Sequence, residues 1–296
     1  MPRNLPLTAV QAPPRLIGEP FSQFAEEATR IRADQPDTRL IVFPELHLFG
    51  DGQPDQQRAD ALRAAAEPLD GPLLRNLRQL AGDLGVWLIP GSVCESAPGG
   101  MLFNTAVVLS PEGEVAASYR KIFPWRPYEP YDPGNSFVTV ELPGIGRVGL
   151  SICYDAWFPE TSRHLAWMGA DVIVNIVKTT TPDRAQEVVL ARANAIVNQV
   201  FMVSLNCAAP PGAGRSLIVD PEGFVLSESE NGTPTTLFAD LDLTHVDRVR
   251  ANGTAGYNRM WSQFGANDAP IDMPLYAGRI DPATWTPAAS DQRSNR

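Results

Sequence analysis

Apolar positions along the chain switch repeatedly between two spacings, and the switching predicts strands and helices in turn. Leu7 to Val10 is a short apolar run. Phe21, Phe24, Ala25, Ala28 and Ile31 then recur at the spacing of an amphipathic helix over 21–33. Leu40 to Phe43 is a compact apolar run closed by Pro44, the pattern of a buried strand. Leu73, Leu74, Leu77, Leu80, Ala81 and Leu84 share one helix side, with Gly85 as its stop. Residues 86–93 read as a strand. Residues 105–109 and 115–119 flank Ser110-Pro111-Glu112-Gly113, a hairpin turn.

The second half repeats the theme. Strands are predicted over 138–142, 148–152, 172–177, 200–205 and 217–219, with a turn at Pro221-Glu222-Gly223. A short helix over 160–168 stops at Gly169. A longer one over 185–198 carries Val188, Val189, Ile196 and Val197 on its apolar side. Beyond Leu243 the periodicity fades and prolines accumulate. The expectation is a domain over 1–243 and an extended arm over 244–296 that serves oligomerisation.

Strict alternation would favour one doubly wound parallel sheet, but the hairpin signals point to two mixed β-sheets with outer helices. The 296 residues, 44% of them hydrophobic, suffice for a large core. The formal charge of −10 argues against a nucleic-acid partner, since an acidic surface repels phosphate backbones. The three cysteines, Cys94, Cys153 and Cys207, are scattered and form no C-x-x-C, so neither a disulfide framework nor a thiolate zinc site is expected. No apolar window has the roughly 18 residues of a membrane span, and the amino terminus lacks a signal-peptide core. The expectation is a cytoplasmic protein without membrane or metal.

Three polar residues follow apolar strands where α/β sheets bind ligands, outside the carboxyl ends. Cys153 ends the run Gly149-Leu150-Ser151-Ile152 and precedes Pro159, a favoured first-turn residue of a helix. A thiol at such a turn lies beside backbone N–H groups that can support a thiolate or an oxyanion. Glu45 follows Leu40 to Pro44 and is a candidate general base. Lys121 follows the strand 115–119 and is a candidate oxyanion stabiliser. Glu129 lies eight residues further, between prolines and aromatics in the loop 124–134. No H-E-x-x-H, G-x-S-x-G, Walker loop or strand-associated G-x-G-x-x-G competes with this set.

The ordered pieces Val10-Gln11-Ala12, Phe43-Pro44-Glu45, Tyr119-Arg120-Lys121, Ile152-Cys153-Tyr154-Asp155, Phe158-Pro159-Glu160, Gly169-Ala170-Asp171-Val172 and Ala191-Arg192-Ala193 resemble the nitrilase, or carbon–nitrogen hydrolase, superfamily. The resemblance implies an αββα sandwich and a catalytic set of Glu45, Lys121 and Cys153, with no cofactor. The loop from Arg120 to Glu129 looks like the aliphatic amidase and formamidase branch, which implies a role for Glu129 beside Lys121. The elbow from Cys153 to Glu160 looks more like the ω-amidase and N-carbamoyl hydrolase groups. On this footing the substrate is a small amide cleaved through a thioester on Cys153, with the oxyanion held by Lys121 and the Tyr154 backbone N–H. Trp125, Tyr128, Trp157 and Thr179 are candidates to line the substrate pocket. An N-carbamoyl amidohydrolase and a catalytically silent binding protein are the alternatives. The family habit of pairing subunits implies a homodimer or larger homo-oligomer.

Overall fold

A computed structural model describes residues 3–50, 55–274 and 278–280. The first half of the chain runs β1 (Asn4–Gln11), α1 (Phe21–Asp34), β2 (Leu40–Val42), α2 (Asp55–Ala65), α3 (Pro72–Leu84), β3 (Trp87–Ile89), β4 (Ser92–Ala97), β5 (Met101–Leu109) and β6 (Val115–Arg120). The second half runs β7 (Thr139–Leu142), β8 (Gly146–Ile152), α4 (Pro159–Trp167), β9 (Val172–Val177), α5 (Arg184–Asn198), β10 (Phe201–Asn206), β11 (Leu217–Val219), β12 (Val225–Glu228), β13 (Thr235–Asp242) and α6 (Thr244–Asn252). A small antiparallel pair, β14 (Ile271–Met273) and β15 (Gly278–Ile280), follows.

The strands form two mixed sheets. One has the order β13-β1-β2-β3-β5-β4, with β6 also paired to β5; the other has β12-β11-β10-β9-β8-β7. Period-two alternation assigns each strand's two faces to different layers. Leu5, Leu7 and Ala9 of β1 and Leu40 and Val42 of β2 meet Val148, Leu150 and Ile152 of β8 and Val172, Val174 and Ile176 of β9 in one central core. Ile41 and Val10 face the other way, onto Phe24, Ala28 and Ile31 of α1 and Leu74, Leu77 and Ala81 of α3. Ile173 and Met202 pack under Leu165 and Ala166 of α4 and Ala191 and Ala195 of α5. The result is the expected four layers: helices, sheet, sheet, helices.

Several elements differ from the sequence expectation. The strand expected over 86–93 is two strands, β3 and β4, broken at Pro90-Gly91. Pro90 has no N–H for a ladder, and Gly91 takes φ 93°. The segments α2, β12 and β13 carried no sequence signal strong enough to name, yet β13 pairs antiparallel along the whole of β1. Helix α5 turns the opposite way to the expectation. Val189, Ile196 and Val197 are exposed, and Arg184, Glu187, Ala191, Asn194, Ala195 and Asn198 form the buried side. That side is polar because it serves hydrogen bonds, not apolar packing alone: Asn194 donates to the Ala156 carbonyl, and Asn198 to the Asn194 carbonyl. Past Leu243 the chain first forms α6, whose Val246 and Val249 are buried. Residues 281–296 of the expected arm lie outside the described residues.

Candidate active site

The site collects four chain segments at one end of the two sheets. Glu45 follows β2, and its side chain is almost wholly buried. The turn that carries it is fixed from two sides. Leu46 adopts φ 51° and donates its N–H to the Ser92 hydroxyl, while Phe43 N–H donates to the Ile89 carbonyl. Gly91 lies against this turn so closely that a Cβ there would stand 2.1 Å from the Pro44 carbonyl oxygen. Asn104, buried in β5, donates its amide to Glu45 Oε1 at 2.8 Å.

Lys121 extends β6 by one residue. Its N–H donates to the Asn104 carbonyl, and its carbonyl accepts from Gly134 N–H. The side chain is fully buried. Its Nζ donates to Glu45 Oε1 at 3.0 Å and to both oxygens of Glu129 at 2.9 Å. Glu129 is itself held by a turn: its N–H donates to the Trp125 carbonyl, and Trp125 N–H returns to Glu129 Oε2 at 2.8 Å. Burial alone would push the Lys121 ammonium toward losing its proton. The charges of Glu45, Glu129 and Asp155 outweigh it and hold the group well above the usual lysine range.

Cys153 opens the turn of 3₁₀ helix over Cys153–Trp157 that leads into α4. It adopts φ 49°, a left-handed conformation uncommon for a residue with a Cβ. Strain of this kind concentrates at functional sites. The Asn175 side chain donates to the Cys153 carbonyl at 3.4 Å. Burial first, and then the charge of Glu45, push the thiol well above its ordinary range, with Lys121 pulling the other way. Burial and the neighbouring carboxylate thus favour the neutral thiol over the thiolate.

Asp155 ties the elbow to the lysine loop. Its Oδ2 accepts from the Tyr119 hydroxyl at 2.7 Å and from Ile152 N–H at 3.0 Å, and its Oδ1 accepts from Phe123 N–H at 2.9 Å. Complete burial raises its pKa to about 6, against the opposing pull of Lys121 and these donors.

Cys153, Glu129, Trp125, Tyr154 and Thr179 line one cavity of about 50 Å³, together with Lys178, Asp183 and Glu187. Of the residues expected to line a pocket, Tyr128 and Trp157 do not. Tyr128 is 64% exposed and lies with its ring 4.4 Å from the Trp125 ring, and Trp157 packs its ring 6.1 Å from that of Tyr154. The sequence reading missed Asn104, Asp155 and Glu187. Asp155 had no signal beyond its place in the Ile152-Cys153-Tyr154-Asp155 motif, and Glu187 had none. Asn104 had one weak signal, a polar residue inside an otherwise apolar run.

The architecture is that of the nitrilase superfamily. More narrowly, the chain belongs to the carbon–nitrogen hydrolase family, whose model matches residues 7–251. It is similar to the formamidase of Pseudomonas syringae pv. syringae (strain B728a), at 31% identity over 267 residues, 84% of this chain and 76% of that one. It is 40% identical over 221 residues to an (R)-stereoselective amidase of Pseudomonas sp., covering 72% of this chain and 77% of the relative. Among solved structures, a glutamate-to-glutamine mutant of the amidase from Nesterenkonia sp. AN1 superposes with a TM-score of 0.67 at 26% identity, covering 83% of this chain and 94% of that one. That structure shows covalent addition of the acetamide moiety of fluoroacetamide at its active site cysteine. Among the described residues, no helix is long and apolar enough to cross a membrane.

Proposed function

We propose that the chain hydrolyses a small carboxamide to a carboxylic acid and ammonia through a thioester on Cys153. Membership of the family and the formamidase and amidase relatives make it a hydrolytic amidase. The observation that carries the finer reading is the Lys121 ammonium, 3.0 Å from Glu45 and 2.9 Å from Glu129, beside the cavity that Cys153 lines. The covalent adduct on the cysteine of the Nesterenkonia amidase supports the same role for Cys153.

In the first half-reaction, Cys153 Sγ attacks the amide carbon and Glu45 takes the thiol proton. The carbonyl oxygen becomes an oxyanion, held by the Lys121 ammonium and the Tyr154 backbone N–H. The C–N bond breaks as Glu45 returns the proton to the departing ammonia. In the second half-reaction, Glu45 removes a proton from water, the hydroxide attacks the thioester carbon, and the C–S bond breaks to release the acid as Glu45 returns the proton to Sγ and restores the thiol. Glu129 fixes the direction of the Lys121 ammonium, because both its oxygens are already bound to Nζ and to Trp125 N–H.

The size of the cavity favours a short acyl group. At about 50 Å³ it is smaller than the pockets that take drug-sized ligands. A panel of formamide, aliphatic amides, ω-amides and N-carbamoyl amino acids, with ammonia detection, tests the assignment. Turnover confined to the short amides supports it. Carbon dioxide released together with ammonia would mark an N-carbamoyl hydrolase instead. The reading includes a cytoplasmic homo-oligomer, supported by the exposed apolar residues Val189, Ile196 and Val197 on α5. A monomer mass from solution scattering would refute that part.

A further inference from the structure

We propose that Glu187, held by Arg184, is a positioning residue that turns the Thr179 hydroxyl away from Cys153, so that an oxygen lone pair faces the sulfur and keeps the resting thiol protonated. The inference rests on Cys153 being the nucleophile of the proposed function and adds how its resting state is set.

Thr179 Oγ1 stands 3.8 Å from Cys153 Sγ and 2.8 Å from Glu187 Oε1. A hydroxyl has one proton to donate. A carboxylate accepts only, so the Thr179 proton goes to Glu187 and the hydroxyl can only accept at Sγ. Glu187 is held by Arg184, whose Nη1 donates to its Oε2 at 3.0 Å. Arg184 is buried at the start of α5 and is fixed in turn: it donates to the Gly214, Ser204 and Arg215 carbonyls and to the Ser204 hydroxyl. The chain of contacts therefore runs from buried backbone through Arg184 and Glu187 to the Thr179 oxygen hydrogen-bonded to Sγ.

The arrangement has a chemical use. With a lone pair toward it, the sulfur keeps its proton as an S–H···O hydrogen bond. The proton stays on the sulfur until Glu45 takes it in the first half-reaction, and the sulfur is spared alkylation and oxidation between turnovers. The charged groups around Cys153 are Glu45, Lys121 and Glu129 from the first sheet and its loop, Glu187 from α5, and Lys178 and Asp183 at the cavity wall, with Tyr154 next in the chain. Among the side chains that line the cavity with Cys153, Thr179 is the one with a hydrogen bond to Sγ, and Glu187 sets its direction.

The test is the pH profile of Cys153 alkylation by 2-iodoethanol, a neutral reagent with no amide group, assigned to its peptide by mass spectrometry so that Cys94 and Cys207 do not contribute. In Glu187→Gln the new amide donates to Thr179 Oγ1, and the hydroxyl proton swings to Sγ and stabilises the thiolate. The alkylation midpoint then falls by about one pH unit, roughly a tenfold faster reaction near neutrality. In a Thr179→Val background the same substitution produces less than half of that shift. A folded Glu187→Gln protein with an unchanged midpoint overturns the proposal, as does an equal shift with and without the Thr179 hydroxyl. If Glu187→Gln does not fold, the S–H stretching band of Cys153, isolated by difference from Cys153→Ala, replaces it. The band is expected to move to higher frequency in Thr179→Val and to stay in place in Thr179→Ser; no movement in either overturns the proposal. Alkylation needs no amide turnover, so failure of the amidase assignment and failure of this inference remain distinguishable.

Discussion

Lys121 Nζ is a shared donor between two carboxylates, 3.0 Å from Glu45 Oε1 and 2.9 Å from each oxygen of Glu129, with its side chain fully out of contact with solvent. This one ammonium separates two acids that would otherwise repel each other in a low-dielectric site. Removing one partner of a buried pair is costly because the other charge is left uncompensated.

Lys121→Met is therefore expected to act twice. It should destabilise the fold by about 3–5 kcal/mol, the range for breaking a buried ion pair. It should also lower kcat/KM for amide hydrolysis by about 10²–10³, the loss typical of one oxyanion donor. Urea denaturation and steady-state kinetics measure the two effects separately. A stable variant with near-wild-type kcat would contradict the oxyanion role.

Asp155 makes stability depend on pH in the less familiar direction for a carboxylate. Burial raises its pKa from an ordinary 3.8 to about 6, so the native state holds this proton where the unfolded chain has lost it. Its contribution is complete below about pH 4 and is lost as pH rises through 6, a span of about 3 kcal/mol. Asp155→Asn removes this titration. The stability of wild type minus that of Asp155→Asn should fall between pH 4 and 6 and level off above, as read from denaturant melts at each pH. A difference that rises over that range would reverse the assigned sign.

The same substitution should also slow the reaction. An asparagine offers one acceptor oxygen where Asp155 serves Tyr119, Ile152 and Phe123 with two. The lysine loop and the nucleophile elbow would then be less firmly joined. A fall in kcat of at least tenfold, with KM changed less, is expected for a small amide.

Gly91→Ala probes the glutamate's support. The new methyl would stand 2.1 Å from the Pro44 carbonyl oxygen, at a backbone φ of 93° that disfavours alanine. The turn must shift, and Glu45 with it. A destabilisation of about 1–3 kcal/mol and a large loss of kcat are expected. Thermal melting and initial rates on formamide check both.

The layers, and the strand ends that carry Glu45, Lys121 and Cys153, were legible because each rests on local order. Glu45, Lys121 and Cys153 each follow an apolar run, and strand ends are where α/β sheets expose functional groups. What local pattern could not show is which polar residues meet across the sheets. Asn104 reaches Glu45 from another strand, and Asp155 reaches Tyr119 and Phe123 across 36 and 32 positions of sequence. Helix α5 misled for a related reason. Its valines suggested an apolar buried side, but the side that faces the site is built around Arg184, Glu187 and Asn194.

The most direct test of the mechanism is the intact mass of the protein quenched in acid during steady turnover of a small amide, followed by peptide mapping. Acid unfolds the site and stops thioester hydrolysis, so an intermediate present at the quench is retained. An added acyl mass located on Cys153, absent from a Cys153→Ala control, is the predicted result. An unmodified Cys153 in protein that was turning over the amide, or an acyl group carried by any other residue, would contradict the account.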